Sequence, residues 1–553
     1  MDSSHIMQID IFEAEPMPDE DNQVKKSHMD LSHLKQRNIF GADFMFNDFL
    51  RKDDICYLIK HTIAPLVKIE DFEEMYKSGG RPPISPKVLL LVLIMQYLEK
   101  LSDRAAVNNL RFRLDWKIAL GLELEFAGIH STTLVKFRDR LLENNKASYA
   151  FDKILEHLVE KGFIKKNSKQ RIDSTKVIGK IRELGRLELF HETLRPFCTD
   201  AFEYASESPK PILELIEYYI EEIPIRGISD VQKKKQITEA GIAMKTFIDW
   251  SESETELKNL KSFKTMKKVF EQNFTVTDPN GPGGKPIMNK VATGKDHICS
   301  PHETEARYAS KGGKGWAGYK AQIAESIPSK KDGDENFITF ADAVDSTEYD
   351  GDIVHSYIDD QKDKDILPSE VYGDSHYNTE NNIKEMSQKG VELKGPVRPA
   401  STKKKAKNEG FEIDSKKSEV TCPEGKKSEF HKEYSDGRSK TKFFENDCKN
   451  CARSEICEPK SVGKIIDYRP VNKLLESRRA IMETAEYKED MHKRNGIEGT
   501  ISGLVRGQGI RNCRYRGKQK TRLQIKFSAT AANIRRLHRK MQNESKKAIR
   551  NAA

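Results

Sequence analysis

The chain has 553 residues, more than one ordinary core accommodates, so two or three domains are expected, each able to fold without staples. Hydrophobic residues make up 37% and charged residues 33%. The longest apolar run, Val88 to Met95, is far short of the roughly 20 residues that a membrane span requires. The first residues, MDSSHIMQIDIFEAEPMPDEDNQ, lack the basic start and apolar stretch of a signal peptide, so the reading is a cytoplasmic protein with no membrane partner. In that compartment the eight cysteines are expected to be free thiols or metal ligands. The net charge of +9 is modest, but its distribution is uneven: between Arg494 and Lys540 thirteen Lys and Arg face one acid, Glu498, the pattern of a surface that meets phosphates.

In chain order, residues 1–40 are acidic and polar without a sustained apolar period and read as a flexible arm. Residues 41–150 read as a helical domain. Ser85-Pro86 supplies a cap and a first-turn proline before KVLLLVLIMQYLEKL, Ser102 opens SDRAAVNNLRFRL, and Ser131 or Thr132 caps TTLVKFRDRLLENN. The arginines and lysines of this module suit either DNA or a solvated packing face. A core of mixed strands and helices is predicted over 165–394. It begins with a strand in SKQRIDSTKVIGKI, is interrupted by a helical insertion at about 185–275, and returns to strands at WAGYKAQIAES, ENFITFADAVD and SEVYGDSHY. Residues 395–465 form a lysine-rich insert with half of the cysteines, 466–541 a basic helical C-terminal part of the core, and 542–553 a frayed tail.

Three carboxylates stand out. Asp173 in RIDST is placed at the end of a strand, and Asp374 in VYGDSHY directly after apolar strand residues. Glu498 in RNGIEGTISGLVR is a lone acid in a basic helical segment, where it would repel DNA phosphates unless a cation lay between them. Carboxylates are the hard oxygen ligands that Mg2+ prefers, and phosphodiester chemistry uses two such ions about 3.5–4 Å apart. An Asp after a strand is more often a turn or cap residue, and Asp345 in ADAVDS competes for a metal role, with capping of the next helix as its plainer reading. Cys422, Cys448, Cys451 and Cys457, spaced C-x25-C-x2-C-x5-C, suit a tetrahedral structural Zn2+, which would stabilise an insert lacking an obvious apolar core. Cys56, Cys198, Cys299 and Cys513 are scattered and read as ordinary thiols.

Together these motifs resemble the DDE transposases of bacterial insertion sequences, the insertion-sequence 1182 group in particular, from about residue 40 to 537. The segments that carry the likeness are GRPPISPKVLLLVLIMQYLEKLSDR, RLDWKIALGL, STTLVKFRDRL, RIDSTKVIGKIRELGRLEL, SPHETEARYASKGGKGWAGYKAQIAE, YGDSHY and GIEGTISGLVRGQGIRNCRYRGKQKTRLQIKFSATAANIRRL. The resemblance implies an RNase H-like α/β core with a five-stranded mixed sheet. It also implies a catalytic set of Asp173, Asp374 and Glu498 holding Mg2+ or Mn2+, and in-line cleavage and strand transfer. The implied partners are double-stranded DNA with terminal inverted repeats, target DNA, and a second copy of the chain in a homodimer on DNA. The 201 residues between Asp173 and Asp374 require the helical stretch to be an insertion.

Arg494 and Arg506, on the Glu498 helix, are expected to hold the phosphate beside the scissile bond or to add general backbone attraction. Arg514, Tyr515, Arg516, Lys518, Lys520 and Arg522 are expected to contact DNA, with Tyr515 free to stack on a base. Trp316 and Tyr319 suit a flipped base less well than they suit a core. A noncatalytic DNA-binding protein is the competing reading.

Overall fold

The computed structural model describes residues 49–552 apart from 77–83, 182–183, 206–207, 222–226, 253, 278–283, 290–295, 329–334, 399–409, 415–418, 435–438 and 469–472. The expected arm at 1–40 lies outside the described residues.

The N-terminal region is helical, as its sequence predicts. α1 (Pro86–Leu98) is apolar on all sides and almost wholly buried, so it runs through the middle of the module. α2 (Asp103–Phe112) begins at Ser102, whose hydroxyl accepts from the Ala105 amide at 3.1 Å. α3 (Leu114–Leu120), α4 (Ser131–Glu143) and α5 (Tyr149–Glu160) complete the layer. The cap of α4 is neither Ser131 nor Thr132 but His130, whose Nδ1 accepts from the Thr132 amide at 3.3 Å.

The sheet has β1 (Lys169–Ile178), β2 (Arg307–Lys311), β3 (Lys314–Ser326), β4 (Ile338–Asp345), β5 (Glu370–Tyr372) and β6 (Glu392–Lys394). Five of them run in the order β4-β3-β1-β5-β6, and β2 adds a sixth by pairing with the first residues of β3. β1 is antiparallel to β3 and parallel to β5, the mixed pattern of an RNase H-like core. Alternation along β1 decides which helices cover each face. Ile172 joins a cluster with Phe340, Val354, Tyr357 and Val371 beneath α10 (Ile353–Asp363) and α11 (Glu380–Gln388). Val177 points the other way, into a cluster with Tyr319, Ile323 and Ala341.

That second face is covered by α12 (Ala485–Gly507), through Ile497 and Leu504, and by α13 (Lys518–Ala552), through Leu523, Phe527 and Ile534. The same cluster continues into α1, where Tyr97 stacks on Phe527 with ring centroids 5.3 Å apart, so the N-terminal module and the sheet share one core. The start of α13 is capped from far away in sequence: Glu303 accepts from the Gly517 amide at 2.8 Å and Glu305 from the Lys518 amide at 2.9 Å. Carboxylates at a helix N-terminus satisfy orphan N–H groups and complement its dipole. α13 runs unbroken to Ala552, so the tail expected to fray after Met541 is helical.

The insertion between β1 and β2 holds α6 (Arg186–Ala201), α7 (Lys210–Ile220), α8 (Asp230–Ser251) and α9 (Lys261–Asn273). They close around a separate core of Phe190, Phe197, Phe247 and Met266, so the helical stretch that lengthens the interval between Asp173 and Asp374 is an insertion with its own interior. The cysteine-bearing segment forms small antiparallel ladders, among them Phe430–Glu433, Ser439–Lys442 and Ile465–Tyr468, around a core whose buried hydrophobics are Val420, Phe443 and Ile466.

Candidate active site

Asp173 is the fifth of ten residues in β1, mid-strand rather than at its end. It shares a face with Arg171, Thr175 and Val177, turned toward α12. Its side chain is 17% exposed, its Oδ1 accepts from the Ser174 amide at 2.7 Å, and its Oδ2 lies 3.7 Å from Arg494 Nη2. Asp374 reaches the same place by register: Arg171 pairs with Tyr372 in the parallel ladder, so Asp374, two residues past the end of β5, stands level with Asp173. Its turn is braced by the His376 amide donating to Asp374 Oδ1 at 2.7 Å and by Asn378 Nδ2 donating to the Asp374 carbonyl at 2.9 Å.

Burial is the main cause pushing the Asp173 carboxyl above its ordinary value, and the nearby Asp374 adds to it. The Ser174 amide, Arg494 and Lys311 pull the other way. Two carboxylates in one half-buried place disfavour joint ionisation unless positive charge joins them. Lys311 is one such charge that sequence reasoning missed. It sits on the exposed hairpin tip Lys311-Gly312-Gly313-Lys314, whose two glycines have φ of 60° and 74°, the left-handed pair of a type I′ turn. The K-G-G-K run between strands was the available signal.

Glu498 is on α12 and exposed. It follows the buried Ile497 and lies one helical turn, roughly 6 Å of rise, past Arg494. Among the described residues no group of three or more His, Cys, Asp and Glu side chains is close enough to hold a metal ion. The structure therefore brings Asp173, Asp374 and Arg494 together, and places Glu498 on the same helix as Arg494 without closing a three-acid cluster.

Asp345 is outside this centre. It pairs with Tyr319, whereas Asp173 pairs with Ile323 four residues further along β3, and its carboxylate meets Lys518 Nζ at 3.1 Å. The acid that does approach is Asp350, also missed in the sequence. It accepts from Lys320 Nζ at 2.7 Å, Gln322 Nε2 at 3.0 Å and Ser174 Oγ at 3.2 Å, and lies 3.9 Å from His376 Nδ1.

Much of the basic segment is engaged inside the protein. Arg514 donates to the Leu101 carbonyl and lies over the Tyr97 ring at 4.9 Å. Tyr515, expected to stack on a base, is already engaged by Arg138, which lies over its ring at 4.7 Å, and its hydroxyl is buried. Lys520 pairs with Asp139 at 2.7 Å and Arg522 with Asp342 at 2.5 Å, while Lys518 holds Asp345. Arg506 and Arg516 are exposed. Trp316 and Tyr319 are core residues, the Tyr319 hydroxyl donating to Glu303 at 2.7 Å.

Cys422, Cys448, Cys451 and Cys457 line one cavity of about 290 Å³ with Phe411, Phe443, Arg453 and Lys464. The Cys457 thiol is pushed up chiefly by burial, with Cys451 and Cys422 adding to the shift, so these sulfurs sense one another without meeting as a ligand cluster. Cys56, Cys198 and Cys513 are buried elsewhere, consistent with ordinary thiols.

Two family models match parts of the chain. Residues 421–538 match a family model described as a transposase DDE domain, and residues 44–140 match a transposase domain (DUF772). Both matches are to transposase domains. The DDE match contains Glu498, Arg494 and the four clustered cysteines, while Asp173 and Asp374 lie outside both matched ranges. Neither a curated protein nor a solved structure matches the chain. Among the described residues no helix is long and apolar enough to cross a membrane.

Proposed function

We propose that this transposase binds the terminal inverted repeats of its element as double-stranded DNA, cuts them, and joins the freed ends to target DNA in divalent-metal-dependent reactions. The observation that carries the reading is the placing of Asp173 on β1 and of Asp374 just past the end of the adjacent parallel strand β5, with the helix of Arg494 and Glu498 lying against β1. Asp173, Asp374 and Glu498 are the residues that would hold Mg2+ or Mn2+. Asp173 and Asp374, partly buried oxygen donors that disfavour each other's charge, fit a hard cation. When bound, such ions activate the attacking water or 3′-hydroxyl and steady the leaving oxygen.

The chain's own residues supply the rest. Arg494, whose partly exposed guanidinium lies beside Asp173, would take a non-bridging oxygen of the scissile phosphate. Lys311, from the hairpin tip, would meet a neighbouring phosphate, and the exposed Arg506 and Arg516 would follow the backbone. The His376 amide fixes the Asp374 carboxylate in direction. A structural Zn2+ on Cys422, Cys448, Cys451 and Cys457 suits four thiols around one cavity in a segment with so small a core. A homodimer on DNA accounts for joining two ends, and the bacterial cytoplasm and nucleoid are the expected location.

The second reading, a noncatalytic DNA-binding protein, is favoured by the exposed Glu498 and the open acidic cluster. Strand cleavage of a terminal-repeat duplex by wild type, Asp173→Ala and Asp374→Asn in Mg2+ separates the two. The catalytic reading expects cutting by wild type alone, and undiminished cutting by either variant would remove that acid from the set.

A further inference from the structure

One buried network holds α12 against β1, and its centre is Glu325. The Glu325 side chain is 0% exposed and stands at a β-bulge in the β3–β4 ladder. It accepts from Arg171 Nε at 2.7 Å, from Arg536 Nη1 at 3.0 Å, from Thr500 Oγ1 at 2.5 Å and from Asn336 Nδ2. Arg171 is two residues before Asp173 on the same strand face. While its Nε and Nη2 hold Glu325, its Nη1 turns up to α12 and donates to the Lys493 carbonyl at 2.8 Å.

The helix makes room for this guanidinium at one residue. A Cβ on Gly496 would lie 2.1 Å from Arg171 Nη1 and 2.2 Å from its Cζ. Lys493, Gly496 and Thr500 follow the i, i+3, i+7 line of one helix face, and Arg536 Nη2 also donates to Thr500 Oγ1 at 2.6 Å. Arg494 and Glu498 lie between these three fixed points in sequence.

We propose that Arg171 is a positioning residue: seated on Glu325 beneath Gly496, it sets the rotation and height of α12 over β1, and so aligns Glu498 and Arg494 with Asp173. The inference rests on Glu498 belonging to the metal-holding set. A buried ion network of this kind is a poor source of stability compared with apolar packing, but fully satisfied it admits one geometry. Misplacement of a reacting group by about 1 Å costs on the order of a hundredfold in rate.

The test uses the full chain and a duplex bearing the element's terminal repeats. Melting and DNA binding are measured in EDTA, and single-turnover cleavage against Mg2+ concentration, for wild type, Glu498→Gln, Arg171→Met, Arg171→Lys and Gly496→Ala. Arg171→Met is expected to bind DNA as wild type does, to cleave ten- to a hundredfold more slowly at saturating DNA, and to need more Mg2+. Arg171→Lys, which keeps one donor for the Lys493 carbonyl, should recover part of the loss. Gly496→Ala retains every charged group and favours the helix intrinsically, so it disturbs the same seat without leaving Glu325 an unpaired buried charge, and it should show the same slow, Mg2+-hungry cleavage. Wild-type rates and Mg2+ midpoints in Gly496→Ala or in a folded Arg171→Met, with Glu498→Gln inactive, would overturn the proposal. An inactive wild type, or an active Glu498→Gln, would instead remove the catalytic reading beneath it.

Discussion

Asp173 is held where its charge costs the folded chain stability. Between the ordinary value of 3.8 and its own raised one, the native protein keeps a proton that the unfolded chain has released, so in EDTA stability should fall as pH rises through that window. Cleavage needs the carboxylate and should rise through the same window, with a midpoint that moves down as Mg2+ increases. A midpoint indifferent to Mg2+ would take Asp173 out of the metal-holding set. Asp173→Asn removes the buried charge, so it should abolish cleavage while raising metal-free stability at neutral pH by about 0.5–2 kcal/mol, readable by urea titration. The nearness of Asp173 and Asp374 was foreshadowed by their strand contexts, whereas that of Lys311, Asp350 and Arg171 was not, because what brings them near the site is a hairpin, a turn and a long-range pairing. The same limit explains Tyr515 and Arg514: their sequence is that of a DNA-facing run, but Arg138, Tyr97 and Leu101, more than 350 residues earlier in the chain, cover them.

At the scale of elements, α12, the helix of Arg494 and Glu498, is anchored by few residues. Ile497 is fully buried in the shared core, so Ile497→Ala should cost about 2–5 kcal/mol of stability. Thr500→Val keeps the shape but leaves Glu325 and Arg536 each short of a partner, a loss of about 1–3 kcal/mol. A urea midpoint unchanged by both substitutions would mean that α12 is held by something else. Most helices and strands could be read from period and caps. The α4 cap could not, because Ser131 and Thr132 are the preferred residues and His130 took the role through a ring nitrogen. The cysteine-bearing segment is the element whose stability should depend on metal: a chelator should release one Zn2+ per chain and lower its melting temperature, and Cys448→Ser should do both. Purified protein free of zinc yet unchanged in stability would contradict this.

Among the described residues the two largest interiors are one shared by the N-terminal helices, one face of the sheet and α13, and one private to the insertion. Phe247→Ala should therefore loosen the insertion by about 3–5 kcal/mol and expose α6–α9 to protease before the rest of the chain opens. The sharing of the first interior was hidden in the sequence, since Tyr97 and Phe527 meet across more than 400 residues. DNA affinity should fall steeply with salt, and less steeply after Arg506→Ala and Arg516→Ala than in wild type. Whether Glu498 completes a metal-dependent cutting centre with Asp173 and Asp374 is decided on a labelled duplex carrying the element's terminal repeats, with wild type beside Glu498→Gln, in Mg2+ and in EDTA. Cutting by wild type in Mg2+ alone is expected. Equal cutting by Glu498→Gln, or tight binding by wild type without any cut strand in Mg2+, would contradict it.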